Sequence, residues 1–189
     1  MDLTLLTQIV IAVATLLASL GGYLLAGLNE RRRDERTQLR ESDSLRFERA
    51  AQLEDESHTF QRETLLSLQD ALQKMARQTG KAMHFDHMQA REGKYTQLPE
   101  GLDERMLAAD VEVSRLTARV LDPDVRAAVK GFTELSAQLS TLPADLQGLT
   151  GDDLERRGTA KLREFGDGYN AVVEVVGESV RREIDWRPW

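Results

Sequence analysis

Apolar and polar positions divide the chain into three regimes. The first is Leu3 to Leu28, LTLLTQIVIAVATLLASLGGYLLAGL, 26 residues without Asp, Glu, Lys, Arg or His. As a helix rising ~1.5 Å per residue it reaches about 39 Å, enough to cross roughly 30 Å of hydrocarbon with some tilt. A transmembrane anchor is therefore expected over residues 1–28. A secretory signal would bring a basic n-region and a shorter apolar core, whereas only Met1 and Asp2 precede this run. A buried core helix of this length would need other strongly apolar stretches around it, and the chain offers few.

The second regime, residues 29–63, interleaves both charge signs on a background of good helix formers, with no Pro or Gly between Asn29 and Thr79. Its apolar track, Leu39, Leu45, Phe47, Ala50, Leu53 and Phe60, is sparse and only loosely heptad-like. The pattern predicts a solvated helical stalk or weak coiled coil.

In the third regime, residues 64–189, the apolar positions tighten to helical spacing. Leu65, Leu68, Leu72 and Met75 open a helix over about 64–90, extended by Met83, Phe85 and Met88, and REGKYTQLPEGLD then reads as a loop. Met106, Ala109, Val113, Leu116 and Val120 predict a helix over 102–121. Asp122 followed by Pro123 looks like an N-cap with Pro at the first helical position. It opens a helix over 123–142 whose face is Val125, Ala128, Phe132, Leu135, Leu139 and Leu142, with Pro143 as its stop. Thr150 and Asp153 resemble a capping box at the head of a last helix, 151–186, marked by Leu154, Leu162, Phe165, Tyr169, Val173, Val176, Val180 and Ile184. GDGYN at 166–170 and the β-branched AVVEVV after it favour a turn and strand locally. No other segment alternates with period two to pair with such a strand, so a helix kinked near Gly166 is expected. The predicted fold is all-α: a single transmembrane helix, a long charged stalk, then a small helical bundle.

Charge orients this arrangement. Arg31, Arg32, Arg33, Arg36 and Arg40 follow the apolar run while Asp2 precedes it, which predicts a cytoplasmic C-terminal domain, a short N-terminus outside and a cell-membrane location. The net charge is -7; residues 1–40 contribute +1, so the remainder carries -8 and lacks the basic footprint of general nucleic-acid binding. There is no cysteine, which removes disulfides and thiolate chemistry. Within the anchor, Ala14, Ala18, Gly22 and Ala26 recur every four residues and place small side chains along one face, the pattern that lets two membrane helices approach. The lipid bilayer, a second copy of the chain and an unidentified protein are the expected partners.

Candidate chemistry is sparse. The chain has no Gly-rich phosphate loop ending in Lys-Ser or Lys-Thr, no H-E-x-x-H helix and no G-x-S-x-G elbow. His84, Asp86 and His87 have the i, i+3 imidazole spacing of a metal pair, with His58 as a distant third histidine, but the pattern arises readily by chance and is read as surface or hydrogen-bonded histidines. Asp152, Asp153 and Glu155 are accounted for by the positive end of the helix they open. Both tryptophans, Trp186 and Trp189, lie in the last four residues and make the tail a candidate partner-binding segment. The alternative is that Trp186 caps the bundle, which leaves Trp189 the freer anchor for a partner. The expected function is that of a membrane-anchored interaction protein, a scaffold, adaptor or oligomerising component without catalysis or cofactor. The alternative is a membrane-associated signalling, stress or defence effector that changes state through its stalk.

Overall fold

The computed structural model describes residues 3–94, 98–140 and 145–187, with side chains described at Ser19 and from Arg40 onward within those ranges. Among these residues the chain is all-helical: α1 (Leu3–Glu92), α2 (Leu102–Thr117), α3 (Pro123–Ser140) and α4 (Gly151–Asp185). No helix among the described residues is long and apolar enough to cross a membrane. The side chains of the apolar run, with Ala14, Ala18, Gly22 and Ala26, and of the arginines Arg31, Arg32, Arg33 and Arg36, lie outside the described residues, as do Leu142, Pro143 and Trp189.

The chain divides into two compact units, Met1–Leu53 and Glu54–Trp189. In the first, two pairs lie one turn apart: Ser44 Oγ donates to Glu48 at 3.3 Å and Arg46 stands 3.8 Å from Asp43. Each such pair is worth a few tenths of a kcal/mol on an exposed helix. Leu45, Phe47 and Leu53 are 59 %, 78 % and 66 % exposed, so these three described side chains of the apolar track are uncovered.

The second unit is a bundle with one main core. α1 contributes Leu65, Leu68, Ala71, Leu72 and Met75; α2 Ala109, Val113 and Leu116; α3 Val125, Val129, Phe132 and Leu139; α4 Phe165, Val172, Val176 and Val180. Each fully buried side chain of this size stabilises by about 1.5–3 kcal/mol, which is why the three-four spacing dictates the fold. A smaller cluster of Ala90, Leu146 and Leu154 closes the far end. The bundle begins at Glu54, inside the stretch expected as stalk, because His58, Gln61 and Thr64 already engage later elements or are buried.

Local chemistry sets the element ends. α1 stops where Gly93 takes φ 65°, and the amides of Gly93 and Lys94 bond the carbonyls of Ala90 and Gln89, a Schellman closure that glycine adopts without strain. α2 ends at Thr117 instead of Leu121: Arg119 and Val120 tighten to i−3 bonds, and buried Gln61 of α1 takes over the backbone, donating to Arg119 O and accepting from Leu121 N at 3.0 Å each. Val120 still reaches the core. Asp122 caps α3 as expected, its Oδ1 accepting from the amides of Asp124 (2.9 Å) and Val125 (3.4 Å). The capping box expected at α4 is absent. Thr150 is extended and makes no side-chain cap bond, while Asp153 pairs with Arg156 one turn on.

α4 runs unbroken through GDGYN. Gly168 is a packing glycine: a Cβ there would run into the Leu135 side chain of α3. Its buried face steps through Leu154, Gly158, Lys161, Phe165, Val172, Val176 and Ser179. Leu162 and Ile184, expected on that face, are 41 % and 57 % exposed, since the stripe passes one position before each of them or ends short.

Candidate functional site: polar junctions between the first and last helices

Two clusters of polar side chains join α1 to α4. The first occupies the end of the bundle where α1 closes. His87 is buried against Gly158, and its Nε2 stands 3.5 Å from Glu155 Oε2. Arg91, one turn on, grips both oxygens of Glu155 at 2.6 Å, a planar fork on a carboxylate. The Arg91 hydrogen bond first, with its charge and that of His87, holds the Glu155 carboxyl below its usual range despite some desolvation.

Beneath this pair lies Lys161, 7 % exposed, with Nζ 2.6 Å from Oδ2 of Asp145. Arg157 adds a longer contact to the same oxygen at 3.6 Å. Lys161 foremost, then Arg157, keeps the Asp145 carboxyl below its ordinary range. Asp86 is also buried, and desolvation pushes its carboxyl up, with the Lys161 charge opposing. An acid, an imidazole and an amine thus line one cavity with Met83, Leu139, Leu146 and Leu162, yet it measures only about 10 Å³. That is room for a single water molecule and none for a substrate. The cluster's physical effect is to tie the segment carrying Asp145 onto α4, through Lys161 and Arg157, and the head of α4 onto α1, through Glu155.

The second cluster lies at the opposite end of α4. His58 Nδ1 is 2.5 Å from Glu183 Oε2, and its ring stacks on Trp186 with centroids 4.0 Å apart and 21° between planes. Beside it, Asp122 Oδ2 accepts from Arg182 at 2.6 Å and Ser179 at 3.2 Å while Oδ1 caps α3. Burial raises the Asp122 carboxyl, but the two backbone amides, Arg182 and Ser179 together outweigh it and hold the group below its usual range.

The three histidines, read from the sequence as surface or hydrogen-bonded, are separated. His84 is exposed while His87 is buried, and His58 lies 26 positions earlier on the same helix, about 39 Å at ~1.5 Å per residue. Among the described residues no group of three His, Cys, Asp or Glu could hold a metal ion. Trp186 is placed on the His58 ring. Sequence reasoning missed Lys161, Asp145 and Glu183 as members of these junctions. Reading α4 as a strict stripe from Leu154 through Phe165 would have flagged Gly158 and Lys161, a glycine and a lysine on an inward face. Comparison of the chain with protein-family models, with curated proteins and with solved structures finds no match.

Proposed function

We propose that the protein is a single-pass membrane-anchored interaction protein, a scaffold, adaptor or oligomerising component whose helical bundle acts by association and without catalysis of its own. The observation that carries this reading is the sequence of residues 3–40, an uncharged run long enough to span a bilayer followed at once by five arginines. Uncovered apolar side chains support the association half: Leu45, Phe47 and Leu53 on the stalk, and Leu107 and Val111, one turn apart on α2, at 65 % and 57 % exposure. Such side chains at helical spacing are the usual material of helix–helix interfaces. The small-residue stripe of the anchor and the stalk together are the surface for self-association, and Trp189 is the candidate anchor for a further protein.

The test is a pair of topology reporters fused after Trp189, one active only in the cytoplasm and one only outside it, with carbonate extraction of the membranes. Membrane retention with cytoplasmic activity supports the reading. A chain recovered in the soluble fraction, or active only outside, overturns it. A second reading, a signalling or defence effector that changes state through its stalk, is favoured by the His58 contact lying four residues into the bundle unit. Affinity capture of the intact detergent-solubilised protein separates the two. A reproducible protein partner favours the adaptor, and recovery of the chain alone together with membrane leakage on overexpression favours the effector.

A further inference from the structure

We infer that His58, Glu183 and Trp186 form a pH-operated clasp, closed by protonation of His58, that fastens the last turn of α4 to the start of the bundle and releases it as pH rises. The inference rests on the geometry at this end of α4 and is independent of whether the chain is anchored in a membrane. α4 ends at Asp185, and Trp186 leaves it in an extended conformation with φ -62° and ψ 132°. Past Ser179 and Val180 the helix has no buried residue, so what holds its end is the Arg182 bond to Asp122 and the two contacts of His58.

Both His58 contacts depend on the proton. A neutral imidazole offers Glu183 one uncharged N–H; an imidazolium offers a charge-assisted one, and its positive ring lies flat against the indole face at 4.0 Å, the arrangement of a cation–π pair. Protonation therefore strengthens the hydrogen bond and the stack together. The side chains of His58 and Glu183 are 30 % and 20 % exposed, so the site exchanges protons with solvent while remaining partly desolvated. Histidine is the side chain whose charge changes across the physiological range, so the clasp is tight below that titration and slack above it.

The surrounding charges allow this assignment. On α1, Glu54, Asp55 and Arg62 lie one turn to either side of His58. From α4, Glu183 faces it, with Asp185 and Arg187 flanking Trp186. The connection between α2 and α3 brings Arg119, whose carbonyl is held by Gln61, and Asp122, already occupied by Arg182. Glu183 is thus the acid in direct contact with the imidazole.

The experiment uses the full-length chain in detergent micelles with Trp189→Phe, leaving Trp186 as its only tryptophan. Titrated from pH 8 to pH 5.5, Trp186 emission is expected to fall through one imidazole-like transition, because a stacked imidazolium quenches indole. His58→Gln, which keeps a hydrogen-bonding side chain but does not titrate, should abolish the transition. Amide hydrogen exchange of residues 180–187, corrected for its intrinsic pH dependence, should be about two- to fivefold slower at the acid end, the range of a partly exposed ion pair. His58→Gln should remove that difference. A transition that survives His58→Gln, a flat emission profile in the parent, or exchange indifferent to pH overturns the clasp.

Discussion

Gly158 of α4 lies against the imidazole of His87 on α1 so closely that a Cβ added to it would stand 2.7 Å from Cε1 and 2.8 Å from Nε2. This contact sets how near the two helices come, and it brings Glu155 within reach of both His87 and Arg91. A glycine inside a helix costs about 1 kcal/mol relative to alanine, so its placement here needs a packing reason, and the buried ring supplies one.

Gly158→Ala should therefore lower stability, because overpacking a buried contact costs roughly 1–3 kcal/mol and outweighs the helix-propensity gain. Gly131 on α3 is the control. It is exposed, and an added Cβ meets nothing within 4 Å, so Gly131→Ala should raise stability by about 0.5–1 kcal/mol. Urea unfolding of both variants checks the pair; equal shifts in one direction would remove the close approach at Gly158 as a determinant of packing.

Asp122 joins two helices through one carboxylate, capping α3 with Oδ1 and holding Ser179 and Arg182 of α4 with Oδ2. Asp122→Ala should cost about 1–2 kcal/mol from the lost cap alone. Its folded-state carboxyl titrates below the usual range, so it stabilises above the unfolded carboxylate titration and that contribution is lost as pH falls through the lowered value. Asp122→Asn keeps the cap and removes the titration. Its unfolding midpoint should fall less than the parent's between about pH 5 and 3, the span around the ordinary Asp value. Parallel acid profiles in the two proteins would show that Asp122 carries no linkage.

The bundle was legible in the sequence wherever burial falls on strongly apolar side chains. Leu65, Leu68, Leu72 and Met75 of α1, and Val125, Phe132 and Leu139 of α3, are buried as their spacing requires. Legibility failed where the inward face uses other chemistry. Gly158, Lys161 and Gly168 on α4 are inward positions that hydropathy scores as loop or surface, so the apparent stripe drifted to Leu162, which is partly exposed. GDGYN reads as a turn only when its glycines are taken for flexibility; Gly168 is there to admit Leu135. The clusters around Lys161 and His58 were invisible for another reason: their partners, Asp145 and Glu183, lie on other segments, 16 and 125 positions away, and no local period records such pairing. Among the junction residues, the Asp122 cap was legible because its two amide partners lie within three positions.

Phe132 packs in the main core, 3 % exposed, with ring centroids 5.5 Å from Phe165 and 5.8 Å from Tyr169. Phe132→Ala should cost roughly 3–5 kcal/mol, through lost transfer energy and the cavity left between α3 and α4. In a small domain that is a large share of the whole, and the unfolding midpoint should drop accordingly. Phe132→Leu should retain most of the stability, because it keeps much of the buried volume. A loss below about 1 kcal/mol in the alanine variant would mean that this face is not the core.

The proposed anchor is expected to self-associate. In lipid no hydrophobic driving force separates one apolar helix face from another, so two spans associate where small side chains let their backbones approach. In the proposed span, the four-residue spacing of Ala14, Ala18, Gly22 and Ala26 would supply such a face, with Gly22, which has no side chain, as its most sensitive position. Gly22→Ile should hold the helix axes apart and sharply reduce self-association, whereas Leu17→Ile, away from the stripe and nearly equal in volume, should leave it intact. A membrane two-hybrid assay reads both, and Phe47→Ser tests whether the exposed stalk residue adds to the same contact. If Gly22→Ile associates as well as the parent while Phe47→Ser does not, the stalk carries the interface and the stripe is ordinary membrane-helix composition. If neither change matters, any association runs through the bundle, where Leu107 and Val111 of α2 become the next positions to replace.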